Sequence, residues 1–194
     1  MDHWRYYIHG RLLEAFGRWE AAIGAYRGAL QAMPEFSRAA NRTAYLLASL
    51  DRFEEAEGFF RRTLNLEPEN AVAHFNLGYT LDKRGQHPQA VAAFREATRL
   101  KPALDRAWYG LGLAQAALGQ HREAAAALEQ AATLQPMNPH AWYQLGMALH
   151  VTGSAERFEQ VVMHLLRFDP KMTRRLIVET GRTDMAHLVK DLVV

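Results

Sequence analysis

Prolines recur at Pro34, Pro68, Pro102, Pro136 and Pro170, each 34 residues after the one before. A chain that keeps such an interval is built from one small unit copied in tandem. Other columns hold the same phase: Gly10, Ala44, Gly78, Gly112 and Gly146; Ala22, Ala56, Ala90, Ala124 and then Phe158; Tyr26, Phe60, Phe94, Leu128 and Val162. Gly17, Asp51, Gly85, Gly119 and Gly153 form a turn column, where glycine accepts the left-handed conformation that ends a helix. Within one unit His74, Leu77, Gly78 and Leu81 fall at i, i+3, i+4 and i+7, and Ala90, Phe94 and Ala97 repeat the pattern beyond Gly85. Each unit therefore reads as two antiparallel helices. Caps are expected at Asp2, Ser37, Asn70, Asp105 and Asn138, with Pro139 at a first helical position, and the proline closing each unit stops its second helix.

This pattern resembles the tetratricopeptide repeat. The fourth unit is the nearest copy, with Trp108, Leu111, Gly112, Ala124, Ala131 and Pro136 at signature positions, and Trp142, Leu145, Gly146 and Pro170 continue it. The resemblance implies an all-α fold, a right-handed superhelix (α-solenoid) of five helix-turn-helix units, 2–34, 35–68, 69–102, 103–136 and 137–170, closed by capping helices over 171–194. Small residues in the Gly and Ala columns admit close helix approach, and the aromatic column fills the gap. Departures stand out. His9 replaces a leucine, and Thr43 and Ala44 replace the Leu-Gly pair, so the first two units are expected to pack less ideally. Phe158 replaces a small residue and disturbs the angle between the last two helices. After Pro170 the chain reads as a truncated sixth pair: Met172 to Thr180, a break at Gly181, and a helix with Met185, Leu188, Val189, Leu192 and Val193 on one stripe.

Chemistry of other kinds finds little support. Lys and Arg number 23 against 21 Asp and Glu, a net charge of +2, which argues against nucleic acid as the partner. The absence of cysteine excludes disulfides and thiolate sites and suits a reducing, cytoplasmic setting. No stretch approaches the roughly 18 apolar residues of a membrane span. The nine histidines lack ligand spacing, and His87 and His121 are equivalent residues of successive repeats, so no metal or other cofactor is expected. No phosphate loop, nucleophile elbow or isolated carboxylate pair points to an enzyme. Arg61-Arg62 and Arg174-Arg175 read as solvated helix faces.

The resemblance implies that the first helix of each unit lines a concave groove. One groove column is Tyr7, Asn41, Phe75, Tyr109 and Tyr143; beside it run Ile8, Arg42, Asn76, Gly110 and Gln144; then Arg11, Tyr45, Tyr79, Leu113 and Met147; and a rim of Trp4, Arg38, Val72, Arg106 and His140. Rings hold apolar side chains, Asn and Gln serve both sides of an extended backbone, and Arg fixes carboxylates. The alternative for the rings is that they close gaps between adjacent first helices. Some family members clamp a C-terminal carboxylate with Lys, Asn and Arg. Here Asn76 and Arg106 suit that pattern, whereas Asn41, Tyr45 and Gly110 depart from it.

The function expected is a non-catalytic interaction module, an adaptor, scaffold or chaperone-like holder of an extended polypeptide with acidic or amide side chains. Its candidate site is Tyr7, Arg11, Arg38, Asn41, Arg42, Tyr45, Phe75, Asn76, Tyr79, Arg106, Tyr109, Tyr143 and Gln144. Two alternatives stand beside it. One is a binder of single-stranded RNA through the same rings and Arg11, Arg38, Arg42 and Arg106. The other is a subunit that self-associates through its terminal helices, by Trp4, Phe16 and Trp19 or by the apolar Val193-Val194 end.

Overall fold

The apolar spacing folds into helices throughout the computed structural model, which describes residues 2–190. Eleven α-helices run α1 Asp2–Ala15, α2 Trp19–Ala32, α3 Ser37–Ser49, α4 Phe53–Leu66, α5 Ala71–Lys83, α6 His87–Leu100, α7 Asp105–Ala117, α8 His121–Leu134, α9 Pro139–Val151, α10 Ala155–Leu166 and α11 Pro170–Glu179. A 3-10 segment, Thr183–Val189, follows, and no strand occurs among the described residues. The chain divides into two compact units, Met1–Lys101 and Pro102–Val194. Consecutive helices pair as hairpins, and at each hairpin turn Gly17, Asp51, Gly85, Gly119 or Gly153 takes a positive φ.

The hairpins close around the small-residue columns. A Cβ on Gly10 would meet the Tyr26 ring at 2.6 Å, one on Gly78 the Phe94 ring at 2.8 Å, and one on Gly112 Leu128 Cγ at 2.5 Å and the Ala124 carbonyl at 3.2 Å. At these three positions the bare backbone lets the facing side chain reach toward the helix axis. The Ala column allows this, because Ala124 brings the main chain of α8 itself against α7. Thr43 and Ala44, expected to pack less ideally, are fully enclosed, and the Thr43 hydroxyl donates to the Ala39 carbonyl at 2.8 Å. The turn prolines have a second use. Their carbonyls accept from the ring nitrogens of Trp108 (Pro102, 2.8 Å) and Trp142 (Pro136, 2.8 Å), and His74 Nε2 lies 2.9 Å from that of Pro68.

Three local expectations change. Asn70 and Asn138 cap their helices, accepting from the amides of Ala73 and His140, but Ser37 and Asp105 are the first helical residues, and the cap positions are Phe36 and Leu104. Asp2 likewise already lies within α1. The cap that sequence spacing missed is Asp169, whose carboxylate accepts from Met172 N at 2.8 Å.

The second change is Pro170. It does not close a turn as Pro34, Pro68, Pro102 and Pro136 do; it opens α11 at the first helical position. Asp169 follows Asn138 by 31 residues, so the phase of 34 is broken in the fifth hairpin.

The third concerns packing there. Leu176 of α11 takes on Gly146 the place that Tyr26, Phe94 and Leu128 take on their glycines, with Leu176 Cδ2 2.6 Å from a Cβ position on Gly146. Phe158, fully buried where the other hairpins have alanine, holds the main chain of α10 away from α9, and α11 fills the opening. The terminal segment is a 3-10 turn with Met185 and Val189 buried and Leu188 packed against the same core. Leu192, Val193 and Val194 lie outside the described residues.

Candidate functional site

In the first unit α1, α3 and α5 carry the predicted columns. Tyr7 is half-buried between Tyr26 and Phe36, with ring centroids 5.5 and 5.1 Å away. Phe75 rests on Phe94 at 6.0 Å. These two rings do close gaps between helices. Others keep an open side: Tyr45 and Tyr79 are 47% and 43% exposed, and Trp4, edge-on against Phe36 at 4.9 Å, is 42% exposed beneath the Arg38 guanidinium, 5.7 Å from the ring. Arg42 lies 5.9 Å from the Tyr45 ring and Lys83 5.5 Å from that of Tyr79, so each open ring has a cation beside it.

A carboxylate that the columns did not include organises this face. Glu14 Oε2 accepts from the Tyr26 hydroxyl at 2.7 Å, Glu14 Oε1 pairs with Arg42 at 3.2 Å, and Arg11 approaches to 4.0 Å. Burial, then the bond to Glu14, pushes the Tyr26 hydroxyl well above its ordinary range, so it stays a neutral donor. The sequence signal was present: Glu14 is acidic one turn after Arg11. Asn41 Oδ1 and Arg42 Nε are buried without a hydrogen-bond partner among the described residues. Asn76 is half-buried, and its main-chain carbonyl accepts from Thr80 at 2.8 Å.

In the second unit Arg106 is exposed and Gln144 half-exposed. Tyr109 packs against apolar clusters of α8 and α9, and burial raises its hydroxyl pKa. Tyr143 departs from the expectation of a surface residue. It is 6% exposed; its hydroxyl donates to Glu179, and Arg175 lies 5.0 Å from its ring. The helix that fills the fifth hairpin covers it.

Among the described residues no group of three His, Cys, Asp or Glu side chains could hold a metal ion, and no helix is long and apolar enough to cross a membrane. His87 lies 3.0 Å from Asp82 on its own hairpin.

A tetratricopeptide repeat profile matches residues 7–71 and 109–172, and two related repeat profiles match 80–119 and 59–92. A comparison with curated proteins gives no match. Among solved structures, YrrB, described as a repeat protein with an unusual peptide-binding site, is similar with TM-score 0.80 and 20% identity, over 91% of this chain and 90% of that one. MamA from Desulfovibrio magneticus RS-1 is similar with TM-score 0.76 and 20% identity, over 93% and 96%. PilF from Pseudomonas aeruginosa gives 0.76 and 18%, over 97% and 87%. At these identities the likeness is one of fold.

Proposed function

The chain belongs to the tetratricopeptide repeat family, and on that premise we propose that it is a non-catalytic interaction module holding an extended segment of another polypeptide on the face of its first helices. The observation that carries this reading is the pairing of open rings with cations in the first unit, Trp4 with Arg38 and Tyr45 with Arg42. An open ring beside a guanidinium is a suitable arrangement for a partner offering apolar and acidic side chains in alternation. On the first unit Asn76 supplies a donor and an acceptor for a peptide backbone, and Gln144 has the same capacity on the second unit's own face. Arg106, exposed on α7, offers a cation on the second unit. Tyr7, Phe75 and Tyr109 support the face from below, and Tyr143 is left out because α11 covers it. YrrB, similar in fold, carries a peptide-binding site in its own description, which makes a peptide a reasonable ligand class.

The test is affinity capture by the full chain, followed by binding of the captured partner to variants. Tyr45→Ala and Arg38→Glu are expected to weaken binding about tenfold each, as for anchors within an interface. Glu129→Ala, on α8, serves as the control and leaves binding unchanged. Equal loss in the control would move the partner to the second helices. Displacement of the partner by a single-stranded oligonucleotide, with weakening in the same variants, would replace the peptide reading with RNA.

A further inference from the structure

One side of α1 is covered by no described helix. On α3 and α5 the same side lies beneath the preceding hairpin, α2 and α4 respectively. There Ala39 and Ala73, Thr43 and Leu77, and Leu46 and Thr80 are all buried. In α1 these columns hold Arg5, His9 and Leu12. A further hairpin of the ordinary kind would bury Arg5 where alanine is fully enclosed, at a large desolvation cost. Along the edge of this face, however, runs an apolar stripe: Ile8 is 56%, Leu12 55% and Phe16 81% exposed, as at an interaction surface.

We propose that this face is covered by α1 of a second copy, packed antiparallel across a two-fold axis. Asp2, Arg5, Ile8, Leu12 and Ala15 are exposed on α1, and Arg5, Ile8, Leu12 and Ala15 stand 3, 4 and 3 residues apart, a palindromic spacing; Arg18 is exposed just beyond the Gly17 turn, at the start of α2. An isologous interface needs a patch that complements itself. About the centre of this stripe, Ile8 meets Leu12 of the second copy. Arg5 extends over the small Ala15 toward the Phe16 ring, and Asp2 meets Arg18, each contact being made twice. Asp2 and Arg18 have no ion-pair partner among the described residues of their own chain. Charge also selects against the other end of a second copy, since α11 exposes Lys171, Arg174 and Arg175, which would oppose Arg5 and Arg18. A single helix pair falls below the standard interface of about 1,200–2,000 Å², so the association is weak and depends on concentration.

Sedimentation equilibrium of the full chain from about 1 to about 200 µM tests this, the range in which weak pairs dissociate. The mass is expected to rise from 22.0 kDa toward twice that value. Leu12→Glu, at an exposed position, keeps the chain monomeric with its helical circular dichroism unchanged. Asp2→Arg and Arg18→Asp each weaken dimerisation about tenfold, and the two together restore it. A wild-type monomer across the range, a dimer that survives Leu12→Glu, or a double variant no better than the singles would each overturn the proposal.

Discussion

Gln115 occupies a column that is otherwise leucine, with Leu13, Leu47, Leu81 and Leu149 at the equivalent positions. It is buried, and its Oε1 has no hydrogen-bond partner among the described residues. Leaving such an acceptor dry costs about 1–3 kcal/mol, so Gln115→Leu is expected to raise the thermal midpoint; a lower midpoint would show that the amide is satisfied in solution. The glycines make a sharper test, because one substitution should act with opposite signs. Gly58 in α4 has open space around it, and Gly58→Ala is expected to stabilise by about 1 kcal/mol through helix propensity. Gly112→Ala gains the same propensity but drives a Cβ into Leu128 and the Ala124 carbonyl, and should destabilise by about 1–3 kcal/mol in denaturant titration. Both signs follow from the columns together with the packing. The sequence identified Gly112 as a close-approach site because its column recurs in phase; Glu14 escaped because it belongs to no recurring column. Interactions made once leave no periodic trace.

At the scale of elements, the hairpin helices were legible because each repeats a pattern that the others also display, and the turn residues followed from the same phase. The fifth hairpin was half legible. Phe158 signalled a disturbance, but the phase set Pro170 in a turn, and only packing reveals that α11 starts there and that Leu176 sits against Gly146. Leu176→Ala is therefore expected to cost about 2–5 kcal/mol locally, as for a fully enclosed leucine. Hydrogen exchange should show the loss from α9 through the 3-10 segment with the first unit unchanged; uniform loss would contradict a local seat. A second element-level link is pH-dependent. Hydrogen bonds from Ser37 and Asn70 hold the Glu67 carboxyl below its usual range, tying the starts of α3 and α5 to the end of α4. A lowered folded pKa means that this contribution is complete above the unfolded value of about 4.3 and is lost as pH falls through the folded one. Glu67→Gln should accordingly lower the melting temperature at neutral pH and converge with wild type in acid.

For the whole molecule, a net charge of +2 conceals an uneven distribution. The second helices and hairpin turns pair their charges with one another, as in Arg27 with Glu55, Arg52 with Glu20, Arg84 with Glu57 and Arg157 with Glu129. Among the described residues Arg38 and Arg106 on the first helices have no carboxylate in ion-pair contact. An acidic partner is therefore expected to bind less tightly as ionic strength rises from about 0.05 to about 0.5 M, where screening shortens to a few ångströms. Titration at several salt concentrations measures this, and a flat response would remove the arginines from the interface. The broken phase of the fifth hairpin bears on how a chain like this changes its copy number. Within the first unit the hairpins share one register, so a duplication or deletion of 34 residues among them keeps their contacts in step. From Asn138 onward the three helices are no longer exchangeable parts: α10 cannot be copied without its bulky Phe158, and α9 cannot be moved without the leucine that fills its gap. They form an indivisible cassette, and gene rearrangements that alter the length of this array should preserve residues 138–189 as one block.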